Sequence, residues 1–113
     1  MALNWINMKG GGWLPFQTFN IANVTDYGIY IIWYNGNPGR VVYVGQGDIK
    51  GRLTSHRSDA RILKYADRKL LVTWASVSTA QVDGVERHLA DTWHPLVGDA
   101  HPDVRPIAVN SPW

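Results

Sequence analysis

A chain of 113 residues with 45% hydrophobic side chains fits one small domain built on one core. It has no cysteine, which excludes disulfides, thiolate nucleophiles and cysteine-based zinc sites, and no apolar run near the roughly 18 residues of a membrane span. A net charge of +2 allows a polyanionic partner without requiring one.

Residues 1–25 are mixed in character. Met1 to Gly12 lacks the charged start and apolar middle of a signal peptide, so a cytoplasmic location is expected. Gly10-Gly11-Gly12 reads as a flexible hinge. Trp13, Leu14, Phe16 and Phe19 then read as an arm or short turn packed onto the core, outside a domain that spans residues 26–113.

Tyr27 to Tyr34, rich in Tyr, Ile and Trp, predicts a strand. It is apolar on both faces, so both should be covered. Asn35-Gly36-Asn37-Pro38-Gly39 is dense turn chemistry, and Arg40 to Gly45 is the return strand of an antiparallel hairpin. Gln46-Gly47 closes that strand, and Asp48 caps a helix running from about Ile49 to about Ser58. Leu70 to Val77 is a third strand with two apolar faces. Ser78-Thr79-Ala80 opens a second helix, about Gln81 to Trp93, which His94-Pro95 ends. The tail from Leu96 onward is irregular and docked through Val104, Ile107, Val109 and Trp113. The order strand, strand, helix, strand, helix predicts a small α/β sandwich: a three-stranded antiparallel sheet flanked by helices.

Strand periodicity puts Gly28, Tyr30, Ile32 and Tyr34 on one face, and Val41, Tyr43 and Gly45 on one face. Tyr30 and Tyr43 then share a side across the hairpin, as core aromatics or as reactive phenols. On the first helix, Ile49, Arg52, Leu53 and His56 form one stripe. The plain alternatives are an ion pair of Arg52 with Asp48 and a satisfied, half-buried imidazole at His56. Arg57 and Arg61 lie farther round, solvated or against phosphates. On the second helix, Val82, Val85, Leu89 and Trp93 mark the buried stripe, and Asp83 pairs with Arg87. Glu86 has no local cation. A carboxylate at the edge of a core is costly unless something distant compensates it, either a divalent metal or an arginine from another element. His88, His94 and His101 lack the spacing of a zinc site, and no nucleophile elbow or phosphate-binding loop is present.

Gly28-Ile29-Tyr30, Tyr43-Val44-Gly45, the segment Gly47 to Leu53 followed by His56, then Glu86 and Asn110 resemble, in that order, the GIY-YIG nuclease superfamily. The resemblance covers about Tyr27 to Trp113. It implies a three-stranded antiparallel sheet flanked by helices and a metal-dependent endonuclease that hydrolyses phosphodiesters by a one-metal mechanism. Glu86 would ligate Mg²⁺ or Mn²⁺, and Arg52 would donate two hydrogen bonds to the phosphoryl group. Tyr30, Tyr43 and His56 would surround the attacking water, with a Tyr30–His56 pair as base and Tyr43 orienting water or phosphate. Asn110 would orient Glu86 or the metal's waters. The partner expected is DNA, with RNA also open, contacted through Arg40, Lys50, Arg57 and Arg61 and with no membrane involved. A homodimer or a partner protein would supply specificity. The rival is a binding module that keeps the nuclease fold without turnover.

Overall fold

The computed structural model describes residues 1–8, 10–36, 39–98 and 100–113. Asn37 and Pro38 of the expected hairpin turn lie outside the described residues. The sheet has four strands, all antiparallel: β1 (Leu14–Pro15), β2 (Tyr27–Tyr34), β3 (Arg40–Asp48) and β4 (Leu71–Ser76), in the order β1-β4-β2-β3. The three expected strands are present, and the fourth corrects the count. Leu14 and Pro15 in the arm pair with Val72 and Leu71, too short a run for any periodicity to announce.

β2 is the centre. It is hydrogen-bonded to β3 and β4 and buried from Gly28 to Tyr34, so helices must cover both faces. On one face, Tyr30, Ile32, Tyr34 and Trp74 pack with Ile49 and Leu53 of α1 (Ile49–His56) and with Ile62 of α2 (Ala60–Leu63). On the other, Ile29, Ile31 and Trp33 pack with Val82, Val85 and Leu89 of α3 (Val82–Trp93). The result is an α/β layering with two apolar clusters where composition implied one.

β3 departs from the expected alternation. Tyr43 opposes Ile32 and Val41 opposes Trp33, leaving Val42 as the extra residue of a bulge. Val41 therefore joins the α3 side, while Val42 and Tyr43 join the α1 side. Val41, Tyr43 and Gly45 do not share one face. β3 also runs on to Asp48, opposite Tyr27, instead of closing at Gly45. Gly47 has a φ of 127°, a conformation that favours glycine, as the chain turns into α1. The Asp48 carboxylate caps α1 by accepting the Gly51 N–H at 3.0 Å. α1 ends at His56, two residues earlier than expected, because Asp59 caps the short α2 that follows. α3 ends where His94 takes a φ of 48°, ahead of Pro95.

Residues 1–25 are not peripheral. Phe16 is fully buried and Leu3 lies in the α3-side cluster. Ile6 N–H donates to Trp74 O at 2.9 Å, Thr73 Oγ1 donates to Ile6 O at 2.6 Å, and Phe16 N–H donates to Leu70 O at 2.9 Å. Gly10-Gly11-Gly12 belongs to a hydrogen-bonded turn, Met8 N–H to Gly12 O at 2.6 Å, and not to a free hinge. The tail docks as expected through Ile107 and Val109, but Val104 is exposed. Leu96 and Val97 donate to the carbonyls of Val41 and Val42, covering that stretch of the edge strand. No helix among the described residues is long and apolar enough to cross a membrane.

Phe16→Ala should cost about 3–5 kcal/mol, the usual penalty for emptying a buried aromatic site. Urea denaturation measures it. A loss below about 1 kcal/mol would return the arm to the periphery.

Candidate functional site

β3 is an edge strand with α1 on one face of the sheet and α3 on the other, so both helices can send side chains around its free edge. A cleft of about 160 Å³ sits there, lined by Tyr43 to Gln46, Arg52, Glu86, Ala100 and His101. Arg52 of α1 and Glu86 of α3 meet at this cleft although they are 34 positions apart in the chain (86 − 52).

Glycines let the strands carry large rings here. A Cβ at Gly45 would strike the Tyr30 phenol and approach Tyr43 Cε1 to 2.8 Å. A Cβ at Gly28 would strike Ala75 O and lie 2.8 Å from Val77 N. The Gly28 position serves close strand pairing with β4, while the space at Gly45 lets Tyr30 and Tyr43 stack with ring centroids 6.0 Å apart and planes 7° from parallel. The expectation that they share a side holds.

Tyr30 is fully buried, one layer beneath the cleft wall. Its hydroxyl lies 2.6 Å from His56 Nε2. Burial pushes the phenol well above its ordinary pKa; a hydrogen bond from Arg52 pulls the other way and does not win. Hydrogen bonding to Tyr30 raises the Arg52 pKa in turn, so this guanidinium is charged at any accessible pH. Arg52 is thus turned to the two phenols, and Asp48 is used by the helix cap instead of by an ion pair with it. The Tyr43 and His56 rings are 4.4 Å apart.

Behind His56 stands a residue that the pattern did not single out. Asp59 Oδ2 is 3.9 Å from His56 Nδ1. The Asp59 carboxyl is held below its ordinary range chiefly by its hydrogen bond from Arg61, whose Nη2 is 3.0 Å away. A tautomer with the proton on Nδ1 lets Nε2 accept from Tyr30 and faces Asp59 with the N–H. The available signal was Ser58-Asp59-Ala60, a helix cap three positions past His56.

Glu86 is only 7% exposed, as its place beside the buried stripe predicts. Its distant partner within the protein is not an arginine but His101 of the tail, Nδ1 to Oε2 at 2.9 Å. The expected Asp83–Arg87 pair is replaced: Arg87 bonds Asp91 at 3.2 Å, and Asp83 accepts from Gln46 Nε2 at 2.7 Å. A helix offers Arg87 carboxylates on both sides, and Asp83 lies within reach of the end of β3. Among the described residues no cluster of three or more His, Asp or Glu could hold a metal ion.

Other expectations change. Asn110 does not serve Glu86. Its amide accepts from Leu3 N–H at 2.6 Å and donates to Leu3 O at 3.1 Å, engaging both backbone polar groups of that one residue. Arg57 anchors the arm: it donates to Phe16 O at 3.0 Å and Phe19 O at 2.8 Å and sits 4.9 Å from the Phe19 ring centre, and burial lowers its pKa. Lys50 donates to Ala22 O at 3.0 Å but stays exposed, as Arg61 does. Arg40 is exposed at the far end of β3, away from the cleft. Comparison with family models, with curated proteins and with solved structures finds no match.

Asn110→Ala should lower the unfolding free energy by about 1–3 kcal/mol, because the Leu3 N–H then loses its acceptor. Guanidinium denaturation measures this. A variant as stable as the parent would remove Asn110 as the clasp between the two chain ends.

Proposed function

We propose that this protein is a metal-dependent phosphodiesterase of the GIY-YIG type, an endonuclease whose substrate is DNA in the first instance. One observation carries the reading: Tyr43, Arg52 and Glu86 converge on one cleft from three elements, with the Tyr30–His56 pair directly behind it. A structural ion-pair network would have no need of a guanidinium turned to two phenols at the mouth of a cleft.

The donor set suits a hard cation. Mg²⁺ binds through one or two carboxylates and keeps several waters, and Glu86 supplies one carboxylate whose Oε2 is held by His101. Glu86 would hold Mg²⁺ or Mn²⁺, and the ion supplies Lewis-acid polarisation of a phosphoryl oxygen.

The chain's own groups divide the remaining work. Arg52 offers a planar fork of donors to the phosphoryl oxygens and stabilises charge that grows in the transition state. Tyr43, facing the cleft, orients the attacking water. Tyr30 is too strongly shifted upward to ionise alone, so it acts as a conduit: its hydroxyl passes a proton to His56 Nε2 while receiving one from the water side. Asp59 steadies the imidazolium that results. Sequence specificity would come from a second copy of the chain or from a partner protein.

The His101–Glu86 contact favours one rival, a nucleic-acid-binding module in which Glu86 is already satisfied. Incubation of the purified chain with supercoiled plasmid in Mg²⁺, in Mn²⁺ and in chelator separates the two. The nuclease reading expects nicking or linearisation with metal and none with chelator. In that assay Arg52→Lys keeps the charge but loses the fork, and its rate should fall at least ~100-fold. A variant within a few-fold of the parent would reduce Arg52 to a surface residue. Glu86→Gln should abolish cleavage while circular dichroism stays native. Undiminished cleavage by this variant in Mg²⁺ would take Glu86 out of the site.

A further inference from the structure

A second cavity lies at the opposite end of β3. It measures about 270 Å³ and is lined by Trp13, Trp33, Trp93 and Trp113, with Asn35 and Arg40 among its polar residues. Four of the six tryptophans in the chain meet there. Trp33 and Trp113 are 4.7 Å apart at their centroids, Trp93 and Trp113 5.3 Å, and Trp13 stands edge-on to Trp33 at 5.3 Å. A cluster that served only to close a core would bury its rings, yet Trp113 is 49% exposed. The cavity is near the lower end of ordinary ligand pockets, about 300 Å³, so it suits one ring system rather than a large molecule.

The polar groups narrow the ligand. Arg40 forms no ion pair among the described residues, so its charge disfavours a cation between the rings and favours an anion near the mouth. Asn35 offers an amide, donor and acceptor together, of the kind that reads a base edge. A planar, hydrogen-bonding ring attached to a phosphate fits both of these.

Position supplies the link to the first cleft. Glu86 and Trp93 lie on the same helix, seven residues apart (93 − 86), or about 10 Å along its axis. That distance spans about three nucleotides of stacked strand and fewer of an extended one. We infer that the tryptophan-lined cavity is a base-stacking subsite that takes one unstacked nucleobase from the strand whose phosphodiester lies against Arg52. The substrate is then single-stranded, or locally opened, at that nucleotide. This rests on the reading of the cleft as a nucleic-acid site.

The test is binding of the full chain to a fluorescent single-stranded oligodeoxyadenylate, followed by anisotropy in EDTA so that no cleavage is needed. The parent should bind with quenching of indole fluorescence, and Trp113→Ala should bind about tenfold more weakly, as loss of one aromatic base platform does. Single abasic replacements along the oligonucleotide should reproduce that loss at one position in the parent and at none in Trp113→Ala. Circular dichroism checks the fold of the variant, and Trp13→Ala repeats the comparison from a second wall. Equal affinities of the parent and both variants, or abasic losses spread evenly along the strand, would overturn the subsite. So would quenching by tetramethylammonium that the oligonucleotide relieves, which would mark a cation cage instead. If plasmid is never cut while the position-specific loss persists, the nuclease reading fails and the subsite stands. If plasmid is cut while abasic replacement has no positional effect, the reverse holds.

Discussion

The central strand sets the terms for the rest of the molecule. β2 is paired on both edges and buried on both faces from Gly28 to Tyr34, and it carries a tyrosine in its middle. A phenol with no exposure needs a partner for its hydroxyl, since an orphaned polar group in such a place costs about 1–3 kcal/mol. His56 provides that partner from α1, and this fixes how α1 sits on the sheet. Gly45 on β3 must then remain without a side chain, because any Cβ would meet the same phenol. The two glycine-flanked tyrosine segments and the helix histidine are therefore one packing solution.

Polar groups in and behind the cleft come already engaged. Tyr30 has His56, Glu86 has His101, and Asp59 has Arg61. In surroundings of low dielectric such pairs are strong once made and costly to break. They hold the side chains in place before any ligand arrives, and any ligand must compete with them or join them. Arg52 differs in lying exposed at the cleft while hydrogen-bonded to the phenols. Opposite charges delivered from opposite faces of the sheet are a consequence of β3 being an edge: in a central strand, Arg52 and Glu86 would be separated by the sheet itself.

The two ends of the chain stabilise each other. The Asn110 side chain binds both the N–H and the C=O of Leu3, and Trp5 Nε1 donates to Asn110 O at 3.0 Å. Trp13 from the arm and Trp113 from the tail pack on Trp33 and Trp93. Segments without regular structure thus close the α3 face, and the same aromatic packing leaves a cavity where Arg40 emerges from β3. Arg57 does the corresponding work on the α1 face, tying Phe16 and Phe19 to the helix.

Local physics was enough to read the three long strands, the Asp48 cap, the stripe of α3 and the meeting of Tyr30 with Tyr43, because each depends on residues within one element or one hairpin. The burial of Glu86 was legible for the same reason: Val82 and Leu89 flank it on the helix. What the pattern could not carry was any fact settled by contacts distant in the chain. The two-residue β1 exists only because β4 offers it an edge. The bulge at Val42 is a matter of register between two strands, and it reverses the face that strict alternation assigns to Val41. His101 reaches Glu86, Asn110 turns to Leu3, and Arg57 turns to the arm because the tail and the arm fold back over the sheet, and no spacing in the sequence encodes that return. Composition and periodicity determined which residues had to be buried and which buried groups needed partners; only the tertiary structure decided who those partners were, since a partner is chosen by proximity in space.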